Sequence, residues 1–413
     1  MFAPFASRDF RVLWMAIFLR SGALWLDQVA RPVLIAELTG SALLLGAVLA
    51  ARMAPNLVLG LFAGAVVDRY SRRRILFLSQ AGNVIATGLV FVLLLLDWIE
   101  AWQIIALAGL AGVNMAFFQP ARQAILPTIV PNGALRPAVA LSQTANTVMR
   151  IGGALLAGLL LEFADFTVIY GAMTGIYAGA ALCSALICSE SGPSQAARRV
   201  AGSLLRQTIE GVRWALSERW PLAVAAMSGL MFVFLSPYQG VFVPLMVIDV
   251  LSERSAWVGY LIAVGGAGAA AGSLGLAALR TLPTPGRLMA ALLIAAGIAL
   301  AVMSNAPHLA VLAPCIFLAA ACSTNVMSLA NLTLLAQVPE GMAGRALSLM
   351  NLARGMIPIG ALLAGALADL LGARTGLLTM GLCVIGFALL ALATPLAQGV
   401  TASSQSRTRA GSN

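Results

Sequence analysis

The sequence contains no lysine. All 25 basic residues among its 413 are arginines, and against 15 acids they give a formal net charge of +10. Histidine occurs once, at His308. The five cysteines (Cys183, Cys188, Cys315, Cys322 and Cys383) are scattered and never spaced C-x-x-C, so neither a metal site nor a disulfide framework is expected. Charge of either sign is scarce: 10% of residues carry it, against roughly 25% in soluble domains, which excludes a soluble globular protein. A membrane enzyme is disfavoured because no His-rich cluster or nucleophile–base pair lies near a span end, and a receptor or scaffold because no extramembrane module is present. The glycine-rich VGGAGAAAGSLG from Val264 sits inside an apolar run, follows no strand and has no acid about 20 residues on; it reads as close helix packing, and no cofactor is expected.

What is abundant is apolar. Hydrophobic residues make up 61% of the chain and mean hydropathy is +0.95. Apolar runs of about 20 residues, each enough to cross a hydrocarbon layer about 30 Å thick, recur from end to end. They predict an all-α membrane protein of twelve transmembrane helices, the first over about 11–36 and the last over about 374–396. The arginines of the connecting segments fall in alternate loops, and only Arg254 and Arg374 lie in the others, so both termini are expected in the cytoplasm and a nucleic-acid partner is not. The N-terminal segment MFAPFASRDFRVLW lacks a small-residue cleavage site and reads as a retained anchor. The predicted organisation is a six-helix bundle over 1–188, a cytoplasmic linker over 189–220, a second six-helix bundle over 221–396, and a disordered cytoplasmic tail over 397–413. Within the linker, Leu205, Ile209, Val212 and Leu216 share one face of an amphipathic helix.

Two short strings recur in order. VPNGALRPAVAL at Val130 returns as VPEGMAGRALSL at Val338, and GALLAG at Gly153 returns at Gly360. Such an ordered pair predicts two pseudo-symmetric halves.

The loop after span two reads GLFAGAVVDRYSRRRILF. Its Gly64, Asp68, Arg69, Arg72 and Arg73 resemble the G-x-x-x-D-R-x-G-R-R/K signature between helices two and three of the major facilitator superfamily, with Ser71 where the signature has glycine. The openings SRDFRVLW and AELTGSALLLG, FFQPARQAILPTIVP with Pro120 and Arg122, and QVPEGMAGRALSLMNLARG are similar to the branch that holds the enterobactin exporter and drug-efflux proteins. The resemblance implies the major facilitator fold in a bacterial inner membrane. It further implies a monomer that exports a drug-like compound or siderophore by alternating access and proton antiport, with protons and membrane lipids as its other partners. It gives Asp68 and its neighbours, with Arg122, an inner gating role. The helix-five antiporter motif is only partly matched, because GGALLAG at Gly152 lacks its proline. A lipid or lysolipid flippase of the same fold is the alternative.

Charges inside spans each cost at least about 2.5–3.5 kcal/mol at a span centre unless they face protein or water. Here they are Arg20, Asp27, Arg31, Arg52, Arg122, Arg150 and Arg354. The first three recur at i, i+7 and i+11, on one helical face. Asp27 is the one deep group among them able to exchange a proton, and is the proton-coupling candidate; a permanent ion pair with Arg31 is the other reading. Gln143, Asn146, Thr147 and Arg150 form a polar stripe, as do Thr324, Ser328 and Asn331 beside Asn325. Both stripes read either as a substrate passage or as hydrogen bonding between helices. The cavity candidates are thus Arg20, Arg52, Gln143, Asn146, Arg150, Asn325 and Arg354, with an excess of arginine that suits an anionic or oxygen-rich solute.

Overall fold

The computed structural model describes residues 2–131, 133–188, 219–278, 284–338 and 343–393, without the side chains of Leu61, Ala65, Asp68, 219–220, 337, 343–348 and 393. Most of the expected linker, its amphipathic helix, and the expected tail lie outside these residues. Twelve helices among the described residues are long and apolar enough to cross a membrane, and no strand occurs among them.

The boundaries follow from local chemistry. Helix α1 (Arg8–Thr39) starts where the Ser7 hydroxyl accepts the Phe10 N–H, and stops at Gly40, whose φ of 60° lies in the left-handed region open to glycine. Ser41 caps α2 (Ala42–Arg69) in the same way. After α3 (Arg72–Leu95), α4 (Ala101–Ile129) opens on a reciprocal cap in which the Gln103 side chain accepts the Glu100 N–H at 2.8 Å. Helices α5 (Leu135–Phe163) and α6 (Phe166–Ala185) complete the first six.

Span α7 begins as a regular helix, Arg219–Leu230, and then breaks. Pro237 has no N–H to offer the carbonyl four residues back, and the ladder slips to i+5, as the Ser236 N–H bonded to the Met231 carbonyl shows. A 3₁₀ turn (Ser236–Tyr238), one helical turn (Phe242–Leu245) and a second wide turn (Met246–Val250) finish the span. There follow α8 (Ala256–Ala278), α9 (Pro285–Ser304), α10 (Leu309–Gln337), α11 in two pieces (Ala343–Arg354 and Ile357–Leu371) and α12 (Ala373–Ala393).

Two compact units emerge: Met1–Ser203 with Glu253–Ala263, and Leu204–Ser252 with Val264–Asn413. In unit 1, α1 packs on α5 and α6, α2 on α4, and α3 on α4 and α6. In unit 2, α9 packs on α10 and α12, repeating the α3 pattern, and α11 packs on α7 and α12. Lipid tails are as apolar as leucine, so helices associate by close packing of small residues. Accordingly, a Cβ on Gly153 of α5 would lie 3.0 Å from the Gly22 carbonyl oxygen of α1, and one on Gly360 of α11 would collide with the Val233 carbonyl of α7. The repeated GALLAG thus serves the same helix pairing in each unit. Gly268 of the glycine-rich α8 segment lies against the Phe317 carbonyl, and Gly272 against Ala321, as expected for packing. A core of Phe10, Leu13, Ile17, Leu76, Phe118, Ile125 and Leu141 joins α1, α3, α4 and α5.

Candidate functional site

Asp27 sits in the middle of α1 with 1% of its surface exposed. Arg31, one turn on, donates from Nε to its Oδ1 at 2.9 Å. The Arg31 Nη2 also lies 2.9 Å from that oxygen, although its angle is too poor for a hydrogen bond. Arg52 reaches across from α2 and donates from Nη1 to Oδ2 at 2.6 Å. Arg31 spends a further N–H on the Ile104 carbonyl of α4 at 3.4 Å. One carboxylate therefore holds two guanidiniums, all three buried, and the trio carries a net positive charge. Tyr170 and Tyr177 of α6 lie within electrostatic reach of it.

Arg20 lies further along α1, 5% exposed, with its guanidinium carbon 4.0 Å above the Phe118 ring of α4. It is within electrostatic reach of Tyr177, Arg122 and Arg52. Arg150 of α5 stacks over Trp25 of α1 at 5.0 Å. Of the cavity candidates, unit 1 brings Arg52 to Asp27 and seats Arg20 two turns before it on α1 against Phe118, while Arg150 sits on the α1–α5 seam. Gln143 is exposed and Asn146 half-buried; the Thr147 hydroxyl donates to the Gln143 carbonyl of its own helix. The Ser328 hydroxyl likewise donates to Thr324. Those two hydroxyls tie no helix to another. In unit 2, Asn325 keeps a buried Oδ1 without a partner, and Arg354 is exposed in the last turn before the α11 break, where its charge also complements the helix end.

The signature loop performs a definite local task. Arg72 donates from Nη1 to the Ala124 carbonyl of α4 at 3.0 Å, and Arg73 donates from Nη2 to the carbonyl of Ala185, the last residue of α6. Arg73 at the start of α3 thus occupies the negative end of α6, while Arg72 ties α3 to α4 more than one turn before the end of that helix. Arg69 is exposed, Gly64 and Arg122 are half-buried, and the Asp68 side chain lies outside the described set.

Sequence reasoning missed a second buried network. Asn83 Nδ2 donates to Gln80 Oε1 at 3.2 Å, Asn114 Nδ2 donates to Asn83 Oδ1 at 3.2 Å, and the Thr174 hydroxyl donates to the Thr87 hydroxyl at 3.2 Å, linking α3, α4 and α6. The signal was present, since Gln80, Asn83 and Thr87 recur at i, i+3 and i+7. Also missed was a polar cluster at the far end of α5. There Glu162 accepts from Arg254 at 3.0 Å and from the Tyr260 hydroxyl at 2.9 Å, and the Ser255 hydroxyl donates to Glu37.

Comparison with known proteins places this geometry in context. The profile of a family described as transmembrane secretion effector matches residues 1–412. The multidrug efflux pump Tap of Mycolicibacterium fortuitum is 28% identical over 385 residues, covering 89% of this chain and 91% of that protein. The staphyloferrin A transporter of Staphylococcus aureus is 30% identical over 138 residues, 33% of this chain and 35% of the other. Among solved structures, the nucleoside transporter NupG superposes with a TM-score of 0.77 at 12% identity, over 96% of this chain and all (100%) of that one, a likeness of fold alone.

Proposed function

The chain belongs to the transmembrane secretion effector family of major facilitator transporters, and from that premise we propose that it exports a small organic molecule by alternating access and proton antiport. It is a transporter and not an enzyme. Its relatives include a multidrug efflux pump and a siderophore transporter, which support a drug-like or siderophore solute. The proposed setting is a bacterial inner membrane with both termini in the cytoplasm, in keeping with the asymmetry of loop arginines.

The double ion pair of Asp27 carries the coupling proposal. Arg31 shares a helix with Asp27 and cannot leave it by a movement of helices; Arg52 stands on α2 and can. A proton arriving at Asp27 would replace Arg52 on Oδ2, freeing a guanidinium, and loss of the proton would recapture it. The contact between α1 and α2 is then made and broken as the proton leaves and arrives, which ties proton transfer to a movement of these helices. Arg20, Gln143, Asn146, Arg150, Asn325 and Arg354 are the proposed lining of the solute path. Gly64, Asp68, Arg69, Arg72, Arg73 and Arg122 are the proposed inner gate, with Arg72 anchoring α3 to α4 and Arg73 anchoring it to the end of α6.

The test is uptake of a labelled drug and siderophore panel into everted vesicles, with and without a proton gradient. Gradient-driven uptake of at least one compound is expected, and Asp27→Asn should abolish that uptake while sparing downhill exchange. Full uphill transport by Asp27→Asn would remove the coupling role, and absence of gradient-dependent flux for the whole panel would remove the export reading.

A further inference from the structure

We infer that Arg20, with the Tyr177 hydroxyl, is a receptor for a carboxylate on the transported solute, so that the substrates are organic anions built on an apolar body. The inference rests on the export reading and names the chemical class of what is exported.

Charge is the first argument. Asp27 has both oxygens engaged by Arg31 and Arg52. Arg20 forms no ion pair or hydrogen bond among the described residues, and its Nε is buried without a partner. The remaining described acids of the first six helices (Asp9, Glu37, Asp97, Glu100, Glu162 and Asp165) stand at or beyond the ends of their helices, far from the middle of α1. A guanidinium held in a membrane bundle without a counter-ion is costly, because no carboxylate offsets its desolvation. An arriving anion would supply what the protein omits.

Geometry is the second. The face of the Arg20 guanidinium lies over Phe118, at 4.0 Å from the ring centroid. A stacked guanidinium keeps its in-plane N–H groups free, and those are the donors that grip a carboxylate with two parallel bonds. Tyr177, buried and within electrostatic reach of Arg20, carries an O–H donor, and Arg52 and Arg122 raise the local positive potential. Arg122 is partly exposed. The inventory of unsatisfied groups is one-sided as well. Every buried side-chain polar atom without a hydrogen bond among the described residues of unit 1 is an N–H or O–H, including Arg20 Nε, Trp25 Nε1, Gln80 Nε2 and Tyr170 Oη. The interior has donors to spare and lacks acceptors.

Salicylate and salicylamide form a matched pair of probes, alike in their ring and differing in the carboxylate. The full chain in detergent is heated with each, and the apparent unfolding midpoint is followed against probe concentration. Salicylate should raise the midpoint saturably and salicylamide should not. Arg20→Gln should weaken the salicylate response about ten-fold or more, Tyr177→Phe by a few-fold, and Arg20→Lys should retain part of it, whereas Arg374→Gln, an exposed control, should leave it unchanged. Without probe, Arg20→Gln should unfold at a higher temperature than the parent, since it removes a buried charge that nothing offsets.

Equal stabilisation by both probes, a salicylate response that survives Arg20→Gln, or no response in the parent protein would overturn the inference. So would an Arg20→Gln protein that aggregates, which would mark the guanidinium as a fold element. The export reading fails separately. An Arg20-dependent response without gradient-driven flux leaves the anion site and removes export, and flux without that response does the reverse.

Discussion

Two substitutions that delete the same 2.6 Å contact should have very different consequences. Arg52→Gln and Asp27→Asn each abolish the ion pair between α1 and α2. What they leave behind differs. Without Arg52, Asp27 keeps Arg31 at 2.9 Å and the buried set becomes a neutral pair. Loss of one charge-assisted hydrogen bond, about 1.5–3 kcal/mol, is partly offset because a buried cation is removed as well, so a net cost of about 1–2 kcal/mol is expected. Without the Asp27 carboxylate, Arg31 and Arg52 stay buried with no counter-ion, and the expected cost is that of an orphaned buried charge, about 3–5 kcal/mol. The double variant leaves Arg31 alone and should fall between the two. Apparent unfolding midpoints in one detergent, compared as a ranked series, provide the assay, since a chain of two units need not unfold in a single step. Asp27→Asn must lie lowest. If Arg52→Gln unfolds at the same temperature as Asp27→Asn, or if Asp27→Asn matches the parent, net charge does not govern this cluster and the reasoning fails.

Other parts of the structure yield sharper contrasts. Arg73→Ala uncovers the final carbonyl of α6 and should cost about 1 kcal/mol, with Arg73→Lys recovering part of the lost midpoint; equal loss in both would deny a charge effect at the helix end. Gly360→Ala places a methyl group against the Val233 backbone and should destabilise by about 1–3 kcal/mol, whereas Gly386→Ala, with nothing within 4 Å, should be neutral or better. Glu162→Gln removes the charge from two exposed contacts and should leave the midpoint unmoved, but Gly259→Ala, whose Cβ would lie 2.7 Å from the Ala154 carbonyl oxygen, should lower it. A reversed order within either pair would show that electrostatics, and not the fit of backbones, holds these helices.

The spans and the interior destination of Arg20, Asp27 and Arg31 were legible because a bilayer penalises charge so heavily that sequence position alone reveals where a charged side chain must turn. The spacing of Asp27 and Arg31 put them on one face and offered their pairing as one of two readings, since helix geometry is local. Arg52 could not be assigned to Asp27 in this way: 25 residues and a turn separate them, and only the packing of α2 brings them together. The seats of Arg20 on Phe118 and of Arg150 on Trp25 were hidden for the same reason. The α7 break was signalled by Pro237 and Gly240, yet Pro32, Pro55 and Pro314 sit inside helices that continue, so proline marks a possible break and tertiary contacts decide. The stripe of Gln80, Asn83 and Thr87 obeyed the rule that exposed Gln143 and Asn146; it carries no charge, and an uncharged stripe raises no comparable alarm.

Residues 253–263 cluster with the first unit although they follow most of α7 in the chain. Severing the polypeptide anywhere between α6 and α7 would therefore produce fragments that are not self-contained: the leading piece would lack the start of α8, whose Gly259 packs on the Ala154 and Gly158 backbone of α5, and the trailing piece would retain it. Split-gene complementation would then succeed only when both pieces are synthesised in the same cell, and a trailing piece trimmed to begin after residue 263 would fail to rescue its companion.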